Sequence, residues 1–162
     1  MPNSIVLLDE ELMLSPADSK TNVFFDFRVD APLSHLYIDL SYEPKYFYDM
    51  DKAMGMILDS VKRYSLDMKT DMYGPLENLL PLPNLVTFSI DMNGSYRGAA
   101  HRHANGQHIE IAEKSASVGF LPGRIEPGTW RAAVNVCVVL TETCTYKLRI
   151  TGIRGSVEDS LP

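Results

Sequence analysis

Gly98-Ala-Ala-His-Arg-His-Ala-Asn-Gly-Gln-His-Ile-Glu-Ile111 holds three of the chain's four histidines around an Asn-Gly dipeptide. Asn-Gly between alternating residues is a strong hairpin signal, because a type I′ turn needs positive φ at both central positions. A turn at Asn105-Gly106 sets Ala104 opposite Gln107, His103 opposite His108 and His101 opposite Glu110. Side chains alternate between the faces of a strand, so His101, His103, His108 and Glu110 would share one face. Opposed Cβ atoms lie about 4.5–5.5 Å apart, within interaction range. Ile109 and Ile111 would then point into a core.

The period of two continues on both sides of this stretch. Val23, Phe25, Phe27 and Val29 alternate with Phe24, Asp26 and Arg28, and Leu36, Ile38, Leu40 and Tyr42 with Tyr37, Asp39 and Ser41. Further strands are expected at 85–91, 96–103, 108–112, 118–121, 130–139 and 145–151, with a turn at Asn93-Gly94. The period becomes helical only once. Met50, Met54, Ile57, Leu58, Val61 and Tyr64 follow helix spacing, with Asp49 or Asp51 as N-cap. The methionines on that stripe suit core packing against a sheet. About eight strands with short connections predict a mainly β fold, a jelly-roll-like β-sandwich with one inserted amphipathic helix at about 50–64. Its expected limits are 23–151. Residues 1–22, interrupted by Asp9-Glu10-Glu11 and Ser15-Pro16, read as an N-terminal arm, and 152–162 as a C-terminal tail.

The chain has 162 residues, 45% hydrophobic and 22% charged, which suits one domain with a proper core. A net charge of −6 with no Lys/Arg stripe argues against a nucleic-acid partner. No run approaches 18 apolar residues, and the N-terminus has no basic n-region. The expectation is a cytoplasmic chain that does not enter membranes. Cys137 and Cys144 flank a turn at 140–143. Pairing the apolar faces of the flanking strands puts the two thiols on opposite faces, so both are expected free.

The histidine face invites a metal reading. Two strand histidines two apart can chelate one ion, and Glu110 adds an oxygen ligand, so His101, His103, His108 and Glu110 are the candidate ligands of a divalent metal ion. The competing reading is a polar, solvent-facing hairpin. Arg97, Arg102 and Arg124 are candidates for an anion or partner contact beside it. A cupin pattern fits in part: Gly98, His101, His103 and Glu110, then Pro127-Gly128, Arg131 and Asn135. Its fourth ligand position falls on Arg131, and a guanidinium keeps its proton and cannot ligate. A small metal-dependent hydrolase or cupin-like enzyme on the histidine face is therefore the alternative function.

Three segments carry a family likeness: Phe88-Ser-Ile-Asp-Met-Asn-Gly-Ser-Tyr-Arg-Gly-Ala-Ala-His-Arg-His103, Val118-Gly-Phe-Leu-Pro-Gly-Arg-Ile-Glu-Pro-Gly-Thr-Trp130 and Cys144-Thr-Tyr-Lys-Leu-Arg-Ile150. Over roughly 23–151 the chain resembles the N-terminal β-sandwich, similar to pre-peptidase C-terminal domains, that precedes the catalytic domain in PHP-superfamily metallophosphoesterases of the CehA/McbA type. The resemblance implies a non-catalytic accessory module that binds a protein partner or ligand. The hydrolase's His-x-His-Thr-type motif lies outside this sequence. Its implied partner is a separately encoded metal-dependent hydrolase. A homo-oligomer, through a sheet edge or the 1–22 arm, is a third expectation.

Overall fold

A computed structural model describes residues 3–64, 74–101 and 103–155. The strands are β1 (Ser4–Leu14), β2 (Thr21–Val29), β3 (Leu33–Glu43), β4 (Tyr46–Phe47), β5 (Leu82–Pro83), β6 (Leu85–Met92), β7 (Ser95–Ala100), β8 (Gly106–Ala112), β9 (Gly128–Val138) and β10 (Cys144–Arg154). The one α-helix among the described residues, α1 (Met50–Tyr64), matches its expected limits. Asp49 caps it by accepting a hydrogen bond from the Lys52 backbone N–H, which also lowers the Asp49 pKa.

Eight long strands form two four-stranded antiparallel sheets, ordered β1-β10-β3-β8 (sheet A) and β2-β9-β6-β7 (sheet B). Counting only these eight, the orders are 1-8-3-6 and 2-7-4-5, the jelly-roll arrangement. The expected number of strands is right, but one member differs. Val118–Leu121 contributes one isolated bridge, Phe120 to Gly98, rather than a strand, while β1 rises out of the expected arm. The bulge between Val6 and Leu8 breaks the phase of the alternation in β1. Glu10 then occupies a core-facing register position, opposite Leu148. Together they hide a strand whose Leu8, Leu12 and Leu14 face inward. At the other end β10 runs on through Arg154, into the expected tail.

The core fills the space between the sheets. Sheet A contributes Leu36, Ile38, Ile109, Ile111, Leu148 and Ile150, and sheet B contributes Val86, Phe88, Ile90, Trp130, Val134 and Val136, all buried. Each such side chain stabilises the fold by about 1.5–3 kcal/mol when fully buried. Helix α1 buries only Ala53 and Ile57, so it flanks the sandwich rather than entering it. Both thiols are free, as expected, with Cys144 buried and Cys137 exposed. Their strands do not pair, however, because β9 lies in sheet B and β10 in sheet A.

Candidate functional site: the outer face of sheet A

The expected hairpin at Asn105-Gly106 does not form. In a jelly roll β6 and β7 make the one hairpin inside a sheet, and its turn is Asn93-Gly94, with φ of 50° and 79°. Strand β7 instead ends in sheet B at Ala100, and β8 begins in sheet A at Gly106. Asn105 is held against β3: its carbonyl accepts from the Tyr42 N–H at 2.8 Å, and its side-chain amide donates to the Tyr42 carbonyl at 3.0 Å. That long-range pairing outweighs the local turn preference.

The four candidate metal ligands are therefore separated. His101 is exposed at the end of β7. His103 lines the mouth of an apolar groove of about 490 Å³ between α1 and the sandwich, among Met56, Ile57, Leu85, Val138 and Leu140. Only His108 and Glu110 share a face, with Ile109 and Ile111 turned inward as expected. No group of three or more His, Cys, Asp or Glu among the described residues is placed to hold a metal ion.

The arginine cluster is likewise dispersed. Arg97 is buried and donates to the carbonyls of Leu121, Gly123 and Arg124 at 3.0–3.2 Å, with its guanidinium 5.4 Å from the Trp130 ring. Burying a guanidinium with no carboxylate beside it costs several kcal/mol. Charge-assisted hydrogen bonds of about 1.5–3 kcal/mol each offset that cost, and desolvation lowers the Arg97 pKa. Arg124 pairs with Glu113 at 3.2 Å. Arg102 lies outside the described residues. The cupin-like fourth position fails too: Arg131 sits on sheet B in a bidentate pair with Asp26.

Contacts of the same kind account for part of the segments 88–103 and 118–130. Asn93 accepts the Thr129 N–H through its side chain at 3.0 Å, and a Cβ on Gly128 would collide with that side chain. Gly98 has φ of +138°, and a Cβ there would lie 2.5 Å from the Phe120 backbone. Residues 93–98 and 119–130 thus build one corner of the sandwich, clamped by Arg97 against Trp130. Their chemistry is spent on the fold.

A different set of residues meets on sheet A. Strand β3 points Leu36, Ile38, Leu40 and Tyr42 inward, so His35, Tyr37, Asp39 and Ser41 face outward. Register places Asp39 opposite His108 and Tyr37 opposite Glu110. His108 Nδ1 is 2.5 Å from Asp39 Oδ1, and His35 Nε2 is 3.5 Å from Glu110 Oε1. Tyr37 stands between the imidazoles, 5.9 Å from His35 and 5.5 Å from His108, with the three rings nearly parallel. Stacked this way, the rings turn their faces to one another, while His35 Nδ1 meets Ser34 Oγ at 3.1 Å and the other contacts run to Glu110 and Asp39.

The pattern continues across the sheet. Arg149 lies opposite both Asp39 and Asp9 and pairs with Asp9 at 3.2 Å, and Lys147 pairs with Glu11 at 3.3 Å. A shallow depression of about 510 Å³ covers Asp9, Asp39, Gln107, His108, Lys147 and Arg149. His108 also borders a second hollow of about 290 Å³ formed with Ser117, Val118 and Phe120.

An ionised carboxylate only accepts, so Asp39 fixes the proton of neutral His108 on Nδ1 and leaves Nε2 as an acceptor. That is the way a carboxylate orients a metal-binding histidine. Among the described residues, no group of three or more potential ligands forms around it. His35 belongs to this set and escaped the sequence reading, because it precedes the clear alternation of 36–42. Extending that alternation by one residue would have placed it beside Tyr37 and Asp39. Among the described residues, no helix is long and apolar enough to cross a membrane. Compared with known protein families, curated proteins and solved structures, the chain finds a match in none of the three.

Proposed function

We propose that this chain is a non-catalytic β-sandwich binding module, of the kind that accompanies PHP-type metal-dependent phosphoesterases, and that it engages a separately encoded hydrolase of that class through the outer face of sheet A. One observation carries this reading. The His35–Tyr37–His108 stack, flanked by Asp39 and Glu110, is a partly exposed, ordered polar array on the outside of the sandwich, its side chains held mainly by one another. Residues 93–98 and 119–130 of the family-like segments are, by contrast, consumed in the Arg97–Trp130 corner, where they hold the fold together.

The test is co-expression with a PHP-type phosphoesterase encoded beside this chain. A stable complex, or a change in the hydrolase's turnover when this chain is added, is expected. Replacing Tyr37 and His108 together by alanine abolishes either effect while the module stays folded. A hydrolase that neither binds nor responds refutes the proposal.

A further inference from the structure

The four edges of the sandwich are treated differently. The β7 edge is covered by Ala99 N–H to Gly119 carbonyl (3.0 Å) and Leu121 N–H to Arg97 carbonyl (2.9 Å) hydrogen bonds. The β8 edge is covered by Ser117 N–H to Glu110 carbonyl and Ala112 N–H to Ser115 carbonyl bonds, both 2.8 Å. At the opposite side β1 and β2 stand last in their sheets, with no strand beyond them among the described residues.

An open edge is a template for another strand, and proteins guard it with bulges, charges and charged residues in core-facing positions. Strand β1 has all three guards. It has a bulge at Val6/Leu8, three successive acids at 9–11, and Glu10 in a core-facing position opposite Leu148. Strand β2 has none of them on its core-facing side. It pairs with β9 without a register shift from Thr21 to Val29. Its inward residues are Val23, Phe25, Phe27 and Val29, of which Val23 and Phe25 remain only partly buried. Its outward residues Asn22, Phe24, Asp26 and Arg28 are exposed.

We infer that the β2 edge pairs antiparallel with β2 of a second copy of this chain, joining the two B sheets across a twofold axis. Charge decides which edge can do this. With the axis at Phe25 all nine residues of β2 are paired, Asp26 meets Phe24, Arg28 meets Asn22, and no like charges are opposed. The same pairing covers the exposed parts of Val23 and Phe25, since Val23 meets Phe27 and Phe25 meets its own copy. In β1 an axis at 9, 10 or 11 brings carboxylates against carboxylates, so that edge repels its copy. The outer face of sheet A stays free, so the dimer and the proposed hydrolase contact stand or fall separately.

Sedimentation velocity of the full chain from low micromolar to several hundred micromolar tests the inference. A reversible monomer–dimer equilibrium is expected. Asn22→Arg, which opposes Arg28 of the other copy twice, weakens the dimer about three- to tenfold, and Asn22→Asp tightens it by a similar factor. Val23→Glu, which copies the guard of β1, gives a monomer. Because Val23→Glu touches the core margin, the exposed Asn22 pair provides the test that does not depend on it. A monomer at all concentrations overturns the inference. So does a dimer on which the two Asn22 variants act in the same direction or not at all, or one that Leu12→Lys in β1 dissolves.

Discussion

Two regions of this molecule use polar side chains in opposite ways. At the 93–98/119–130 corner, Arg97 is buried, stacked on Trp130 and bound to three carbonyls of one loop. On the outer face of sheet A, His35, Tyr37, Asp39, His108 and Glu110 touch one another in solvent, and no backbone fold depends on them. The corner draws on the segments 88–103 and 118–130, including Asn93-Gly94, Gly98 and Trp130. The face is assembled from two strands far apart in the chain, and no single stretch advertises it. Distinctive motifs in a small β-sandwich can therefore mark its architecture, while the surface available to a partner is built from ordinary outward positions.

Substitutions should separate the two regions sharply. The largest effect belongs to Gly98→Ala, which needs a positive φ and drives a Cβ into the Phe120 backbone. A loss of about 4 kcal/mol or outright failure to fold is expected, read by urea denaturation. A stability within 1 kcal/mol of the unaltered chain would mean that the corner is looser than described.

Arg97→Met comes next. It removes the cation from a site where desolvation opposes charge, and leaves the carbonyls of Leu121, Gly123 and Arg124 without that donor. A loss of about 2–4 kcal/mol follows from orphaned acceptors outweighing the relief of desolvation. Unchanged stability would show that water or a shifted loop replaces the guanidinium.

On the sheet A face the expectation is reversed. The His108–Asp39 pair is more than half exposed on both sides, and exposed pairs contribute about 0–1 kcal/mol. Asp39→Asn or His108→Ala should therefore leave the thermal midpoint nearly unchanged. A marked drop in the midpoint would move these residues from the binding surface to the structural group.

The smallest effect is a pH dependence on sheet B. Hydrogen bonds from Arg131 hold the Asp26 pKa below the ordinary carboxylate value. A group depressed in the folded state contributes stability that is fully present above its unfolded pKa and lost as the pH falls through its folded pKa. Stability should decline on the acid side through this pair, and Arg131→Met should flatten that part of the profile. Carboxyl titration by NMR checks it directly, with Asp26 returning toward its ordinary value in the variant.

Much of the fold was legible because burial on one side of a strand enforces a period of two. The alternations at 23–29 and 36–42 follow from that rule, and the helix at 50–64 from the 3.6-residue spacing of its apolar positions. What escaped was non-local or phase-broken. The bulge at Val6/Leu8 and the core-facing Glu10 disguised β1 as an arm. Asn93-Gly94 and Asn105-Gly106 give the same local signal, yet only the first turns. The second is claimed by Tyr42, more than sixty residues earlier in the chain. For the same reason only two residues of the histidine set come together. His108 and Glu110 do share a face, but their neighbours are His35 and Asp39 of β3 rather than His101 and His103 of the preceding segment.

The central claim is that binding resides in the outer face of sheet A and not in the motif-bearing corner. Calorimetric titration of a PHP-type hydrolase encoded beside this chain, against the unaltered module and Tyr37→Ala/His108→Ala, tests it most directly. The prediction is saturable binding by the first and none by the second, with the two modules melting together. Equal binding by both, or binding by neither, would contradict it.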